Sequence, residues 1–166
     1  MLRFDVKQMG IIMQVFKPTV ILRHRLENLK KCSLRGLEQR KDFSFFSYPQ
    51  ATLPDLSGYV MLALGAPPLT RADAEHGLFL LDATWRYAGK MSQFVDRHIT
   101  MEKRSIPEGF RTAYPRRQSD CPMPEAGLAS IEALYVAYVV LGKDVTGLLD
   151  AYHWKEEFLA INRHLL

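Results

Sequence analysis

The sequence predicts an α/β domain that is built on a largely parallel β-sheet. Two short apolar runs, residues 58–64 and 78–83, lack the alternation of half-buried strands and are typical of strands covered on both faces. A helical pattern over residues 86–98 follows the second run directly, and an apolar segment over residues 128–141 predicts a core helix. Strands that alternate with helices in this way favour parallel pairing.

The other elements of the N-terminal half are predicted from local composition. Residues 19–24 begin with β-branched side chains and predict a strand, whereas residues 25–33 are polar and predict a loop that leads into a short helix. Residues 43–48 are rich in aromatic side chains. Thr70 and Asp73 have the spacing of a capping box with the shorter acid, which predicts one turn of helix.

The C-terminal half is predicted to hold one long loop and two helices. Residues 106–124 contain four prolines and are expected to be mostly loop, with a short strand over residues 110–114. Gly142 is expected to end the helix over residues 128–141, because glycine readily adopts the left-handed conformation that closes helices. A last helix is predicted from residue 153 to the C-terminus.

Length and composition limit the architecture further. The 166 residues are enough for one packed domain, and we expect a small basic N-terminal subdomain over residues 1–55 beside a main domain over residues 56–166. No apolar run approaches the roughly 20 residues that span a bilayer, and residues 1–10 lack the pattern of a secretory signal. Two cysteines cannot build a disulfide framework. We therefore expect a cytoplasmic protein that has no membrane partner.

Basic residues are concentrated in two parts of the chain, which carries a net charge of +4. The two groups are Arg23, Arg25, Lys30, Lys31, Arg35, Arg40 and Lys41, then Arg104, Arg111, Arg116 and Arg117. Such groups are typical of proteins that bind a polyanion, most often RNA or DNA. A solvated charged face explains the same composition equally well, so composition leaves both interpretations open.

Several common catalytic motifs are absent from the sequence. The chain has no glycine-rich nucleotide loop, no zinc-protease motif and no nucleophile elbow, and its five histidines do not show metal-ligand spacing. These absences weigh against nicotinamide oxidoreductases, phosphate-loop nucleotidases, zinc proteases and hydrolases. No metal site is expected.

Asp82 and Trp85 lie where a ligand is expected, because ligands of parallel sheets bind at the carboxyl ends of strands. Asp82 is placed either to act on a ligand or to cap the helix that follows. Trp85 is placed either to line a pocket or to pack in the core. The local sequence does not decide between these roles.

Residues 82–85, Asp-Ala-Thr-Trp, resemble the Asp-Cys-Ser-Trp motif of the ribosomal-RNA aminocarboxypropyltransferases. Six further segments resemble motifs of that family in the same order: residues 28–33, 69–73, 104–107, 112–115, 128–134 and 152–162. The related DTW-domain tRNA-uridine aminocarboxypropyltransferases are also similar at residues 82–85. The closing Trp-x-x-x-Phe-Leu-x-x-Asn pattern, residues 154–162, favours the ribosomal branch.

The resemblance implies a SPOUT-like fold whose C-terminal trefoil knot holds S-adenosylmethionine. It implies transfer of the 3-amino-3-carboxypropyl group to N3 of a uridine or pseudouridine in rRNA or tRNA, with a small-subunit precursor among the expected partners. Asp82 and Trp85 are then expected at the reaction, and the residues expected to line the cofactor are Ser33, Leu81, Ile106, Leu128 and Ser130. The residues expected to contact RNA phosphate are Arg23, Arg25, Lys30, Lys31, Arg116 and Arg117.

Two other functions are consistent with the same sequence. One is an ordinary S-adenosylmethionine-dependent RNA methyltransferase on the same fold. The other is a non-catalytic RNA-binding factor of ribosome assembly, which would have no reason to bind the cofactor.

Overall fold

The computed structural model describes residues 16–50, 52–115, 121, 123 and 126–166. Five strands in this part of the chain form one sheet, and every neighbouring pair is parallel, as predicted. The strands are β1 (Thr19–His24), β2 (Phe43–Tyr48), β3 (Tyr59–Leu62), β4 (Gly77–Asp82) and β5 (Glu102–Arg104). Their order is β2-β1-β4-β3-β5, which places the three strands with the deepest burial between two edge strands.

Three α-helices accompany the sheet: α1 (Trp85–His98), α2 (Ser130–Leu141) and α3 (Lys155–Asn162). The strands predicted at residues 19–24, 58–64 and 78–83 are confirmed to within two residues, as is the helix predicted at residues 86–98. The two helices predicted from residues 128 and 153 each begin two residues later, and α3 ends at Asn162 before the C-terminus.

The side chains of the central strands form two hydrophobic layers. The layer that joins the sheet to α2 and α3 includes Ile21, Val60, Leu78, Leu80, Leu134 and Phe158. The layer that joins the opposite face to α1 includes Val20, Leu22, Met61, Phe79, Met91 and Val95. Since both faces are covered, successive residues of β1 and β4 are apolar, which explains why their sequences do not alternate.

Helix α2 is buried on most of its surface, in agreement with its apolar sequence. At its start the backbone N–H of Ala129 donates to the Glu132 carboxylate at 2.8 Å. At its end Gly142 has φ 66°, the left-handed conformation predicted for this position. The end of the core helix was therefore predictable from local chemistry, whereas its start lies two residues after the predicted one.

Two strands, β2 and β5, were not predicted. β5 has the sequence Glu-Lys-Arg and lies at the edge of the sheet, where charged side chains are tolerated. The strand predicted over residues 110–114 is wrong, because backbone N–H groups of this segment bond to side chains of α2 and α3 instead. The capping box of Thr70 and Asp73 is confirmed and opens a single 3-10 turn, Arg71–Asp73.

The predicted loop over residues 25–33 consists largely of turns and leads to a second 3-10 turn, Leu37–Gln39. Strands β1 and β2 lie in the common sheet, and the subdomain boundary at residue 55 stays a prediction. Among the described residues, no helix combines the length and apolarity needed to cross a membrane. The same residues contain no cluster of three or more His, Cys, Asp or Glu side chains suited to a metal ion.

Candidate functional site

A cleft of about 860 Å³ opens at the carboxyl ends of the strands. The segments that follow β3, β4 and β5 all contribute to it, as expected for an α/β sheet. The cleft is lined by every residue predicted to bind the cofactor or take part in the reaction: Ser33, Leu81, Asp82, Trp85, Ile106, Leu128 and Ser130. Residues separated by almost 100 positions in the sequence are thus brought together.

Asp82 ends β4 and is 3% exposed. Its Oδ2 accepts a hydrogen bond from Arg23 Nε at 2.7 Å and another from Cys32 Sγ at 3.3 Å. Its Oδ1 accepts one from Ser130 Oγ at 3.2 Å, at the first residue of α2. The carboxylate therefore connects β1, the loop after β1 and the start of α2.

Arg23 lies opposite Asp82 in the register of β1 and β4. Its Nη1 also forms an ion pair with Glu38 at 2.9 Å, and its guanidinium lies 4.6 Å from the centroid of the Phe45 ring. Burial opposes the charge of Arg23, yet its hydrogen bonds to Asp82 and Glu38 hold its pKa above the ordinary value. Arg23 is thus a charged group enclosed by its partners.

Cys32 completes the group around Asp82. Its sulfur accepts a hydrogen bond from Arg23 Nη2 at 3.4 Å while its thiol donates to Asp82. Burial, together with the negative charge of Asp82, raises the pKa of the Cys32 thiol to about 12. The thiol is therefore a protonated hydrogen-bond donor near neutral pH and has no thiolate character.

Ser33 and Ser130 add polar atoms to a cleft that is otherwise largely apolar. The Ser33 hydroxyl accepts a hydrogen bond from the backbone N–H of Ile131 at 3.3 Å, which attaches the loop after β1 to the first turn of α2. An apolar cleft with a few convergent polar groups is the usual form of a small-molecule site.

The residues predicted to contact RNA have different environments. Arg25, Lys30 and Lys31 are exposed on the loop after β1. Arg23 is only 9% exposed, and its three nitrogens donate to Asp82, Glu38 and Cys32. This arrangement favours a structural role for Arg23 over the predicted contact with phosphate. Arg116 and Arg117 lie outside the described residues.

Some residues that line the cleft were not among those predicted. Residues 63–66 follow β3, so the rule that singled out the end of β4 would have found them as well. Phe110 and Tyr114 also line the cleft, but they lie in an irregular segment whose sequence carries no local signal of that position.

No family model and no curated protein matches the sequence. Among solved structures, the chain is similar to the SAM-dependent rRNA:acp-transferase Tsr3 from Vulcanisaeta distributa, with a TM-score of 0.67 and 23% sequence identity. The alignment covers 89% of this chain and 80% of Tsr3. This chain has the fold of Tsr3. The α/β architecture that the sequence motifs implied is thereby confirmed.

Replacement of Arg23 by methionine is expected to lower the free energy of unfolding by about 3 kcal/mol or more, because the Asp82 carboxylate would remain buried without its cation. Arg25→Met, which alters an exposed arginine of the same segment, should leave stability almost unchanged. Urea denaturation followed by circular dichroism measures both effects. Equal stabilities of the two variants would contradict the structural role of Arg23.

Proposed function

We propose that this protein transfers the 3-amino-3-carboxypropyl group of S-adenosylmethionine to N3 of a uridine or pseudouridine in RNA, with rRNA as the substrate. The observation that carries the proposal is the convergence of all seven predicted cofactor and reaction residues on one cleft. The family motifs in the sequence point to the same residues independently of their positions in space. The likeness to Tsr3, an rRNA acp-transferase, supports the same function.

The dimensions and chemistry of the cleft fit S-adenosylmethionine. A volume of about 860 Å³ accommodates a drug-sized molecule and leaves space for part of a second reactant. In our proposal, Leu81, Ile106 and Leu128 pack around the adenine and ribose, partly through backbone groups, and the hydroxyls of Ser33 and Ser130 supply polar contacts. When bound, the cofactor supplies a sulfonium with three electrophilic carbons, so the cleft selects the product by orientation.

Asp82 and Trp85 are proposed to act at the reacting chain. Oδ2 of Asp82 already accepts bonds from Arg23 and Cys32, whereas Oδ1 accepts only the bond from Ser130 among the described residues. Oδ1 therefore has capacity to receive the N3 proton of the uridine or to accept a hydrogen bond from the cofactor amino group. Trp85, at the first turn of α1, would pack beside the transferred chain.

We also propose that the fold belongs to the SPOUT class and that its C-terminal part is threaded as a trefoil knot. The path of the chain supports this. It leaves β5 at one edge of the sheet, lines the cleft at residues 105–110 and 128–130, and starts α2 beside Asp82 of the central strand β4. The chain thus crosses the ends of the strands before it enters the core.

An RNA surface is proposed at the loop after β1, where Arg25, Lys30 and Lys31 are exposed near the cleft-lining residues Glu27 and Ser33. Arg116 and Arg117, which lie outside the described residues, are also proposed to bind RNA phosphate. The target uridine must be unpaired or extruded from a helix, because its N3 edge is otherwise engaged in base pairing. The cytoplasm, where rRNA and tRNA are both available, is the proposed location.

Nucleoside mass spectrometry of rRNA and tRNA, from cells with and without this protein, tests the proposed reaction. We expect a uridine or pseudouridine heavier by about 101 Da only when the protein is present, because the transferred group replaces one hydrogen of the base. A gain of about 14 Da would identify a methyltransferase instead. A purified protein that does not bind S-adenosylmethionine in calorimetry would point to a non-catalytic RNA-binding factor.

Asp82→Ala is expected to reduce the transfer rate by about a hundredfold or more, in line with the loss of a positioned acid or base. Asp82→Asn separates the two proposed roles, because it keeps an oxygen for Ser130 but cannot take up the N3 proton. A rate close to wild type in Asp82→Asn would assign positioning. A rate as low as that of Asp82→Ala would assign proton transfer when the melting temperature stays at the wild-type value, because asparagine also removes the charge partner of Arg23. Full rate and full cofactor affinity in Asp82→Ala would refute both roles.

Lys30→Gln combined with Lys31→Gln is expected to weaken RNA binding and to reduce the slope of log Kd against log salt by about 1 to 2, because two phosphate contacts are lost. Fluorescence anisotropy with a labelled rRNA fragment at several salt concentrations measures the slope. Lys155→Gln on α3, which removes a lysine paired with Asp150, is the matched control and should leave the slope unchanged. A slope unaffected by the double variant would exclude the proposed surface.

A further inference from the structure

Residues 110–114 form part of the cleft without belonging to a helix or strand. Phe110 and Tyr114 at the two ends of this segment line the cleft. A segment without ladder hydrogen bonds keeps one conformation only if other groups satisfy its backbone. Side chains of other elements must therefore hold this part of the cleft in place.

Glu132 on α2 accepts one backbone and one side-chain hydrogen bond from this segment. Its Oε1 accepts from the backbone N–H of Ala113 and from the Tyr152 hydroxyl, each at 2.8 Å. Its Oε2 accepts from Thr112 Oγ1 at 2.6 Å and from the backbone N–H of Ala129 at 2.8 Å. All four donors are uncharged groups, and Glu132 is 0% exposed. One carboxylate thus holds residues 112–113 and the start of α2 together.

Tyr152 is held in its donor form. Burial, followed by the nearby charge of Glu132, raises the pKa of its hydroxyl, so the proton stays on Tyr152 and is donated to the carboxylate. Thr112 has a second function, because its Oγ1 accepts a hydrogen bond from the backbone N–H of Tyr114 at 3.0 Å. The network therefore extends from the C-terminal part of the chain to the residue that lines the cleft.

Asn162, the last residue of α3, holds the other end of the segment. Its Oδ1 accepts from the backbone N–H of Arg111 at 2.8 Å, and its Nδ2 donates to the Arg111 carbonyl at 2.8 Å. Nδ2 also donates to the Phe158 carbonyl of its own helix at 2.9 Å. Asn162 is 0% exposed, so this pair of bonds attaches the backbone of Arg111, an exposed residue, to a buried side chain of α3.

We propose that Glu132 is a positioning residue for the cofactor cleft and that Asn162 assists it. Glu132 holds two sides of the cleft, residues 112–114 and 128–130, at a fixed separation, although it does not itself line the cleft. The inference rests on the proposed function in one respect, namely that the cleft binds S-adenosylmethionine. It adds that affinity for this molecule depends on a carboxylate outside the binding surface.

The physical reason lies in the number of donors that converge on Glu132. A glutamine has nearly the same shape, but its NH₂ group would face donors where the carboxylate has an acceptor oxygen. Buried donors left without acceptors destabilise the conformation that presents them. The segment over residues 112–114 would then leave its position, and the cofactor would have to restore it on binding.

Calorimetric titration of the full-length protein with S-adenosylmethionine tests the proposal. Glu132→Gln is expected to raise Kd about tenfold or more. Thr112→Val and Asn162→Asp should also raise Kd. In a transfer assay KM for S-adenosylmethionine should rise while kcat at saturating cofactor stays close to wild type, because the reacting groups are unchanged. Thermal unfolding of each variant is recorded in parallel.

Tyr138→Phe is the matched control. It removes a buried hydrogen-bonding group from the same helix, α2, but this hydroxyl pairs with Thr19 Oγ1 at 2.7 Å, near the start of β1 and away from the cleft. The control should lower the melting temperature and leave Kd unchanged. A Glu132→Gln variant that lowers the melting temperature but keeps the wild-type Kd would overturn the proposal.

If Glu132→Gln does not fold, Thr112→Val decides, because it removes one of the two donors that residues 112–113 present to the carboxylate, together with the acceptor for the backbone N–H of Tyr114. A wild-type Kd in folded Thr112→Val would then overturn the inference. If instead the proposed function is wrong, the wild-type protein itself will not bind S-adenosylmethionine.

Discussion

The buried ion pair between Arg23 and Asp82 is the interaction on which the site depends. The two residues are register partners at the ends of β1 and β4, so the pair lies where the central strands stop and the cleft begins. A carboxylate in the core is unfavourable unless it is paired and hydrogen-bonded. The Asp82 carboxylate therefore needs hydrogen bonds from Arg23, Cys32 and Ser130. These bonds bring the loop after β1 and the start of α2 to the same point.

A second buried carboxylate, Glu132, also needs hydrogen-bond partners, but it obtains them from different groups. Asp82 is stabilised by a cation, whereas Glu132 collects four uncharged donors from the chain around it. Ser130, which bonds to Asp82, and Glu132 lie two residues apart on α2, so the two networks meet in the first turn of that helix. Because both carboxylates are held from several directions, the polar rim of the cleft has little freedom to rearrange.

Strands could be predicted from the sequence where burial on both faces leaves a continuous run of apolar residues. The apolar runs of β3 and β4 identified strands because both faces of the sheet are covered. The family resemblance implied a phosphate contact for Arg23 as well as for Arg25, because a sequence motif does not distinguish a solvated arginine from one enclosed in an ion pair. Ser33 and Ser130 were identified only through a resemblance of motifs, and the cleft that unites them could not be derived from periodicity.

The sequence by itself determined the α/β class, the parallel pairing, the end of α2 at Gly142 and the position of Asp82 at the end of a buried strand. These features depend on residues close together in the chain. Only the tertiary structure decided the order of the strands, the partner of Arg23 and the conformation of residues 110–114. The bonds involved join residues 59 positions apart in the Arg23–Asp82 pair and 51 positions apart in the Arg111–Asn162 pair. Local propensity carries no information about such partners, because they meet only when the sheet and helices pack.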